Sequence, residues 1–149
     1  MATILLLHGP NLNLLGSREP SIYGQHTMLG INESVESILS PHSHNLSCYQ
    51  SNHEGDLVDR IQLASQQAVD FIILNPAAYT HTSVAMRDAL LAVSIPFIEV
   101  HLSNPLDREP FRHKSFFSDI AIKVISGHGS DSYNLAAEAS IEYFNQHNK

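Results

Sequence analysis

The chain has 149 residues, 43% hydrophobic and 15% charged, and its 8 basic and 15 acidic side chains leave a net charge of −7. This composition excludes a disordered chain and suits one globular domain over residues 1–149, while the negative charge argues against nucleic acid as a partner. The lone cysteine, Cys48, leaves no intrachain disulfide framework and fits a reducing cytoplasm, and the N-terminal apolar run is too short for a signal peptide or membrane span.

Ile4-Leu5-Leu6-Leu7 reads as a strand buried on both faces. The run from His8 to Gly24, rich in Gly, Pro and Asn, cannot hold a regular element. It is also too long and too apolar for a simple linker, which marks it as a functional loop. Met28, Ile31, Val35 and Ile38 recur at helical spacing and predict an amphipathic helix from about Thr27 to Ser40, ended by Pro41. Leu46 and Cys48 alternate with polar neighbours in a half-exposed second strand, as expected at a sheet edge. Leu57, Ile61, Ala64 and Ala68 mark a second helix, and Val69–Leu74 a third strand. A loop over Asn75–His81 leads to a helix capped by Thr82 or Ser83 and running to Val93. Phe97–Val100 is the fourth strand, His101–Ser118 a second long polar loop, and Ala121–Ile125 the fifth strand. A last helix follows Ser130.

Strands and helices alternate five times, and strands one, three and four are apolar throughout. The pattern predicts a doubly wound, parallel α/β sheet of order 2-1-3-4-5, with the half-exposed second strand at an edge. Ligands in such sheets bind beyond the carboxyl ends of the strands, where the winding reverses between strands one and three. The loops gathered there start at His8, Asn75 and His101.

Several chemistries lack their residues. There is no phosphate-binding P-loop, and the Gly127–Gly129 pair follows the wrong strand for a dinucleotide fingerprint. His42 with His44, and His53 beside Glu54, are too few ligands for a metal. Lys123 is the only lysine placed for a Schiff base, and nothing else supports it. Acid–base chemistry without a cofactor remains.

Glu99 and His101 project from the same side of the fourth strand, where the carboxylate can set the imidazole's tautomer and keep it available as a proton donor. A buried structural pair is the equal alternative. Tyr23 lies near Arg18 in the first long loop. A phenol of ordinary pKa is only ~0.1% ionised at neutral pH, so a base there needs a guanidinium beside it. Packing of the Tyr23 ring, with Arg18 paired to Glu19, is the commoner use of such residues. Asn75, His81, Ser103 and Arg112 fall at one end of the sheet and together could hold a small hydroxylated carboxylate.

The motifs H-G-P-N-L-N-L-L-G-S-R-E-P-x-x-Y-G, L-N-P-A-A-Y-T-H-T-S, I-E-V-H-L-S-N and R-E-P-F-R-H-K-S resemble those of the type II 3-dehydroquinate dehydratases, from the first strand to the last helix. The resemblance implies a flavodoxin-like fold assembled from trimers into a homododecamer. It also implies reversible dehydration of 3-dehydroquinate to 3-dehydroshikimate in shikimate or quinate metabolism, with no cofactor and no metal. Residue by residue, Tyr23 corresponds to the base, Arg18 to the group holding it ionised and Asn11 to the enolate stabiliser acting through water. His101, oriented by Glu99, corresponds to the acid. Asn75, Ser103 and the Leu102 amide correspond to the carboxylate site, and His81 and Arg112 to the hydroxyl-binding groups, joined by Asp88 of a neighbouring subunit. The chain departs from the family at Ala77, where many members carry glycine, and in G-H-G-S-D-S-Y, which lacks a glycine often found there. An FMN-binding flavodoxin is the alternative for this fold, although the first loop has no Ser/Thr-rich phosphate cradle. A receiver-type signalling domain would need an acidic cluster after the first strand, where Asn11 stands instead.

Overall fold

The computed structural model describes residues 1–17 and 26–147. Five strands form one sheet: β1 Thr3–His8, β2 Asn45–Gln50, β3 Phe71–Asn75, β4 Phe97–Val100 and β5 Lys123–Ile125. Its order is β2-β1-β3-β4-β5, and each neighbouring pair is parallel. With helices between the strands and on both faces, this is the flavodoxin-like doubly wound α/β fold expected from the alternation, with half-exposed β2 at an edge.

Among the described residues, α1 Met28–Leu39, α2 Glu54–Gln66 and α3 Val84–Val93 connect successive strands, and α4 Asp131–His147 follows β5. Helix α1 starts where the Thr27 side chain accepts the Gly30 N–H, and it buries Ile31, Val35 and Leu39. Ser83, rather than Thr82, caps α3 by accepting the Met86 N–H at 3.0 Å. Alternation along the central strands divides the interior in two. Ile4, Leu6, Phe71, Ile73, Ile98 and Val100 pack with α1 and α4, whereas Leu5, Leu7, Ile72, Leu74 and Phe97 pack with α2 and α3. Each buried Leu or Ile contributes roughly 1.5–3 kcal/mol relative to exposure, so β1 is held from both sides.

Some boundaries differ from the sequence expectation. Helix α2 stops at Gln66 and Ala68 turns left-handed at φ 57°, because the Val69 N–H folds back onto the Ala64 carbonyl. Strand β3 therefore begins at Phe71 rather than Val69, and Asn75 is its last residue rather than the first of a loop. Strand β5 begins at Lys123, not Ala121, because the Ile120 and Ala121 N–H groups turn back to the Phe117 carbonyl. The two polar connections are partly coiled into 3-10 turns, at Ala77–His81, Pro105–Asp107 and Pro110–Arg112.

At the switch point, the Gly9 N–H donates to the Asn75 carbonyl at 2.8 Å. A Cβ on Gly9 would lie 2.4 Å from the Pro76 carbonyl oxygen. The exits of β1 and β3 can approach this closely only with a hydrogen at that position. Gly9→Ala is therefore expected to destabilise the chain by about 1–3 kcal/mol, seen as a lower urea midpoint with unchanged slope.

Candidate active site

The carboxyl ends of β1, β3 and β4 surround a cavity of about 260 Å³, just below the usual range for small-molecule sites. Of the predicted residues, Asn11 comes from the loop after β1, and Asn75 and His81 from the end of β3 and the turn beyond it. His101, Leu102 and Ser103 come from the exit of β4, and Arg112 from the loop that follows; all seven line this cavity. Glu99 stands behind His101 rather than in the wall. Asp88 is exposed on α3 and does not line the cavity of its own chain. Arg18 and Tyr23 lie outside the described residues.

Glu99 and His101 meet as their spacing predicts. Both are buried, and Glu99 Oε2 lies 2.5 Å from His101 Nε2. The Ser118 hydroxyl donates to Glu99 Oε1 at 2.7 Å and the Ser115 hydroxyl to Oε2 at 2.9 Å, so each carboxylate oxygen has a donor. Burial alone would push the Glu99 carboxyl up. The hydrogen bond and charge of His101, with the two serine hydroxyls, outweigh it and hold the pKa below the usual carboxylate value. Glu99 thus stays ionised, and the imidazole keeps Nδ1 for exchange with a ligand.

His81 Nδ1–H donates to the Lys114 carbonyl at 2.8 Å, which leaves Nε2 as an acceptor. Burial lowers the His81 pKa, partly opposed by that carbonyl and reinforced by nearby His101 and Arg112, so the ring is neutral and can accept from a hydroxyl. Arg112 Nε donates to Glu109 Oε1 at 3.0 Å. Arg108 also lines the cavity, with Nε 3.8 Å from the same carboxylate. Arg108 belongs to the His101–Ser118 loop, and only the fold turns it inward.

Asn11 is held in a left-handed conformation at φ 68°. Its N–H donates to Asn52 Oδ1 at 2.9 Å, and Asn52 is fixed in turn by Gln50 and by the Tyr79 hydroxyl, which donates to the Asn52 carbonyl. Ala77 is also left-handed, at φ 50°, a conformation that glycine adopts without strain. The remaining groups missed by sequence reasoning are His8 and Tyr133, both fully buried. Tyr133 Oη lies 3.2 Å from His8 Nδ1 and accepts from Asn75 Nδ2 at 2.8 Å, while His8 Nε2 lies 2.8 Å from Asn32 Oδ1. His8 reads in the sequence as the start of a loop, and Tyr133 as a helix residue among other apolar ones.

A polar cavity flanked by guanidinium groups, with a carboxylate-backed imidazole at the strand ends of a flavodoxin-like sheet, defines a class: an α/β protein equipped to hold a small anion and exchange a proton with it. Residues 2–141 match the family described as dehydroquinase class II. A "3-dehydroquinate dehydratase" of Stutzerimonas stutzeri is 61% identical over 142 residues, covering 95% of this chain and 97% of the relative. Among solved structures, the type II dehydroquinase of Butyrivibrio crossotus superposes with a TM-score of 0.90 at 43% identity, covering 93% of this chain and 96% of that one. The corresponding protein of Propionibacterium acnes gives 0.88 at 35% identity, covering 94% and 96%. The chain belongs to the class II dehydroquinase family and is a hydro-lyase. The flavin-binding alternative is not favoured.

Burial lowers the His8 pKa from 6.5 to about 4, partly opposed by the bond to Asn32. Above pH 6.5 the ring is neutral in both folded and unfolded chains. Between 6.5 and about 4 only the unfolded chain takes up the proton, so stability falls with pH, by about 3 kcal/mol once both states are protonated. Urea midpoints at pH 7 and pH 4 should show this loss, and a His8→Asn variant should lose less over the same interval.

Proposed function

We propose that the chain catalyses the reversible elimination of water from 3-dehydroquinate to 3-dehydroshikimate, through an enolate and without a Schiff base or a metal ion. The carrying observation is the buried Glu99–His101 pair at the cavity wall, a carboxylate-backed imidazole facing a pocket of small-metabolite size.

Elimination β to a ketone needs a base for the α-proton, a stabiliser for the enolate and an acid for the leaving hydroxyl. In this reading Tyr23, as a phenolate held by Arg18, removes a proton from C2. Charge then develops on the ketone oxygen and is met by Asn11 through a water molecule. His101 as imidazolium, with Glu99 balancing its charge, gives its proton to the C1 hydroxyl, which leaves as water. The proton gained by Tyr23 and the one lost by His101 are exchanged with solvent before the next turnover. Asn75, Ser103 and the Leu102 N–H bind the substrate carboxylate; His81 and Arg112 bind the ring hydroxyls.

A Schiff base needs a desolvated lysine, whereas Lys114 and Lys123 are exposed and neither lines the cavity. The same reading takes residues 1–149 as one catalytic domain and the protein as a cytoplasmic homododecamer, a tetramer of trimers. Asp88 of a neighbouring subunit would then complete the site. The reaction would serve the route through shikimate to chorismate and the aromatic amino acids.

The test is enone absorbance formed from 3-dehydroquinate with and without borohydride. Turnover should survive the reductant; no turnover in either condition overturns the reading, and loss only with borohydride restores the Schiff base. His101→Ala should lower kcat by about 10²–10⁴-fold through loss of the acid. Tyr23→Phe should lower kcat by several orders of magnitude while substrate still binds, and near-normal turnover would remove Tyr23 as the base.

A further inference from the structure

We infer that His8 and Tyr133, behind the cavity wall, are positioning residues that fix Asn75 as a hydrogen-bond donor toward the substrate. The inference rests on the proposed function, in which Asn75 binds the substrate carboxylate.

An amide side chain can be turned over with almost no change of shape, exchanging a donor for an acceptor. A carboxylate ligand requires the donor. Asn75 is held in one of these two states by the Ala77 N–H and by Tyr133, which does not line the cavity. Its Oδ1 accepts the Ala77 N–H at 3.1 Å, and one Nδ2–H goes to Tyr133 Oη at 2.8 Å. The second Nδ2–H is left for the cavity that Asn75 lines.

Turning the amide over would place its NH₂ against the Ala77 N–H, two donors face to face. It would also place the carbonyl on Tyr133, which would then have to donate to it. The Tyr133 proton is already committed to His8 Nδ1, because His8 donates from Nε2 to Asn32 Oδ1 and the neutral ring has no second proton. The chain Asn75–Tyr133–His8–Asn32 therefore runs in one direction. His8 and Tyr133 are fully buried and Asn75 is 3% exposed, so water is not available to scramble the order.

The parts come from four elements. His8 and Asn75 are register partners at the ends of β1 and β3, on the face shared with Ile4, Leu6, Phe71 and Ile73. Asn32 belongs to the first half of α1 and Tyr133 to the first turn of α4. Both helices pack on that same face, so the polar relay is the continuation of one apolar core toward the cavity.

The experiment is steady-state kinetics on Tyr133→Phe, Asn75→Ala and the double variant. A carboxylate bond made equally to substrate and transition state appears in KM, so Tyr133→Phe should raise KM about tenfold or more with kcat within about threefold. In the Asn75→Ala background it should add nothing, because the residue it positions is gone. If Tyr133→Phe does not fold, Asn32→Ala perturbs the same relay from its half-buried end and should give a smaller rise in KM with the same dependence on Asn75. A loss of kcat at unchanged KM, or the same KM increment with and without Asn75, overturns the positioning role. An Asn75→Ala variant with normal KM instead overturns the assignment of Asn75 to substrate, and the positioning role with it.

Discussion

The close contact at the exit of β1 governs the geometry of the site. The Pro76 carbonyl oxygen occupies the region where a side chain on Gly9 would begin, 2.4 Å from a Cβ. The first loop and the turn after β3 therefore leave neighbouring parallel strands at the closest approach two backbones can make. Asn11 and Asn75 open onto one cavity for this reason. Parallel pairing of His8 with Asn75, and the Gly9–Asn75 bond beyond it, carry the register of the sheet into the site.

Two polar sets enter the interior here with their members satisfied, whereas the buried Thr80 hydroxyl has no hydrogen-bond partner among the described residues. Glu99 has His101, Ser115 and Ser118 about its two oxygens, and His8, Tyr133 and Asn75 satisfy one another. An unpaired buried carboxylate or hydroxyl costs kilocalories, so such sets either form fully or are replaced by apolar residues. They make the rear of the cavity stiff, which suits groups that must hold position while charge moves in front of them. The cavity also differs from the molecule around it. The chain carries −7, yet two guanidiniums, Arg108 and Arg112, stand at the cavity against the single carboxylate of Glu109, and Glu99 is paired with His101. Local electrostatics can therefore favour an anion that the net charge would repel.

The two faces of the sheet have separate tasks at this end. The Asn75–Tyr133–His8 set lies on the face of α1 and α4, whereas Glu99 follows Phe97 onto the opposite face, toward Phe117 and the serines of the long loop. Strand alternation thus brings the Asn75 set from one core and the Glu99–His101 pair from the other, meeting at the strand ends.

What the sequence by itself determined was everything carried by period and local chemistry. Runs such as Ile4–Leu7 and Phe97–Val100 marked strands buried on both faces, the alternation at Leu46 and Cys48 marked an edge, and Thr27 and the Thr82–Ser83 pair marked helix starts. The two-residue spacing of Glu99 and His101 was enough to place them together, because the strand dictates that geometry without help from elsewhere. Strand boundaries at Phe71 and Lys123 were less legible, since backbone bonds to Ala64 and Phe117 set them rather than composition. Only the tertiary structure brought Tyr133 to His8, 125 residues away, Ser115 and Ser118 to Glu99, and Asn52 to Asn11. Those contacts join residues that no local period relates, and their partners exist only once β1 lies between β2 and β3 with α4 packed across it.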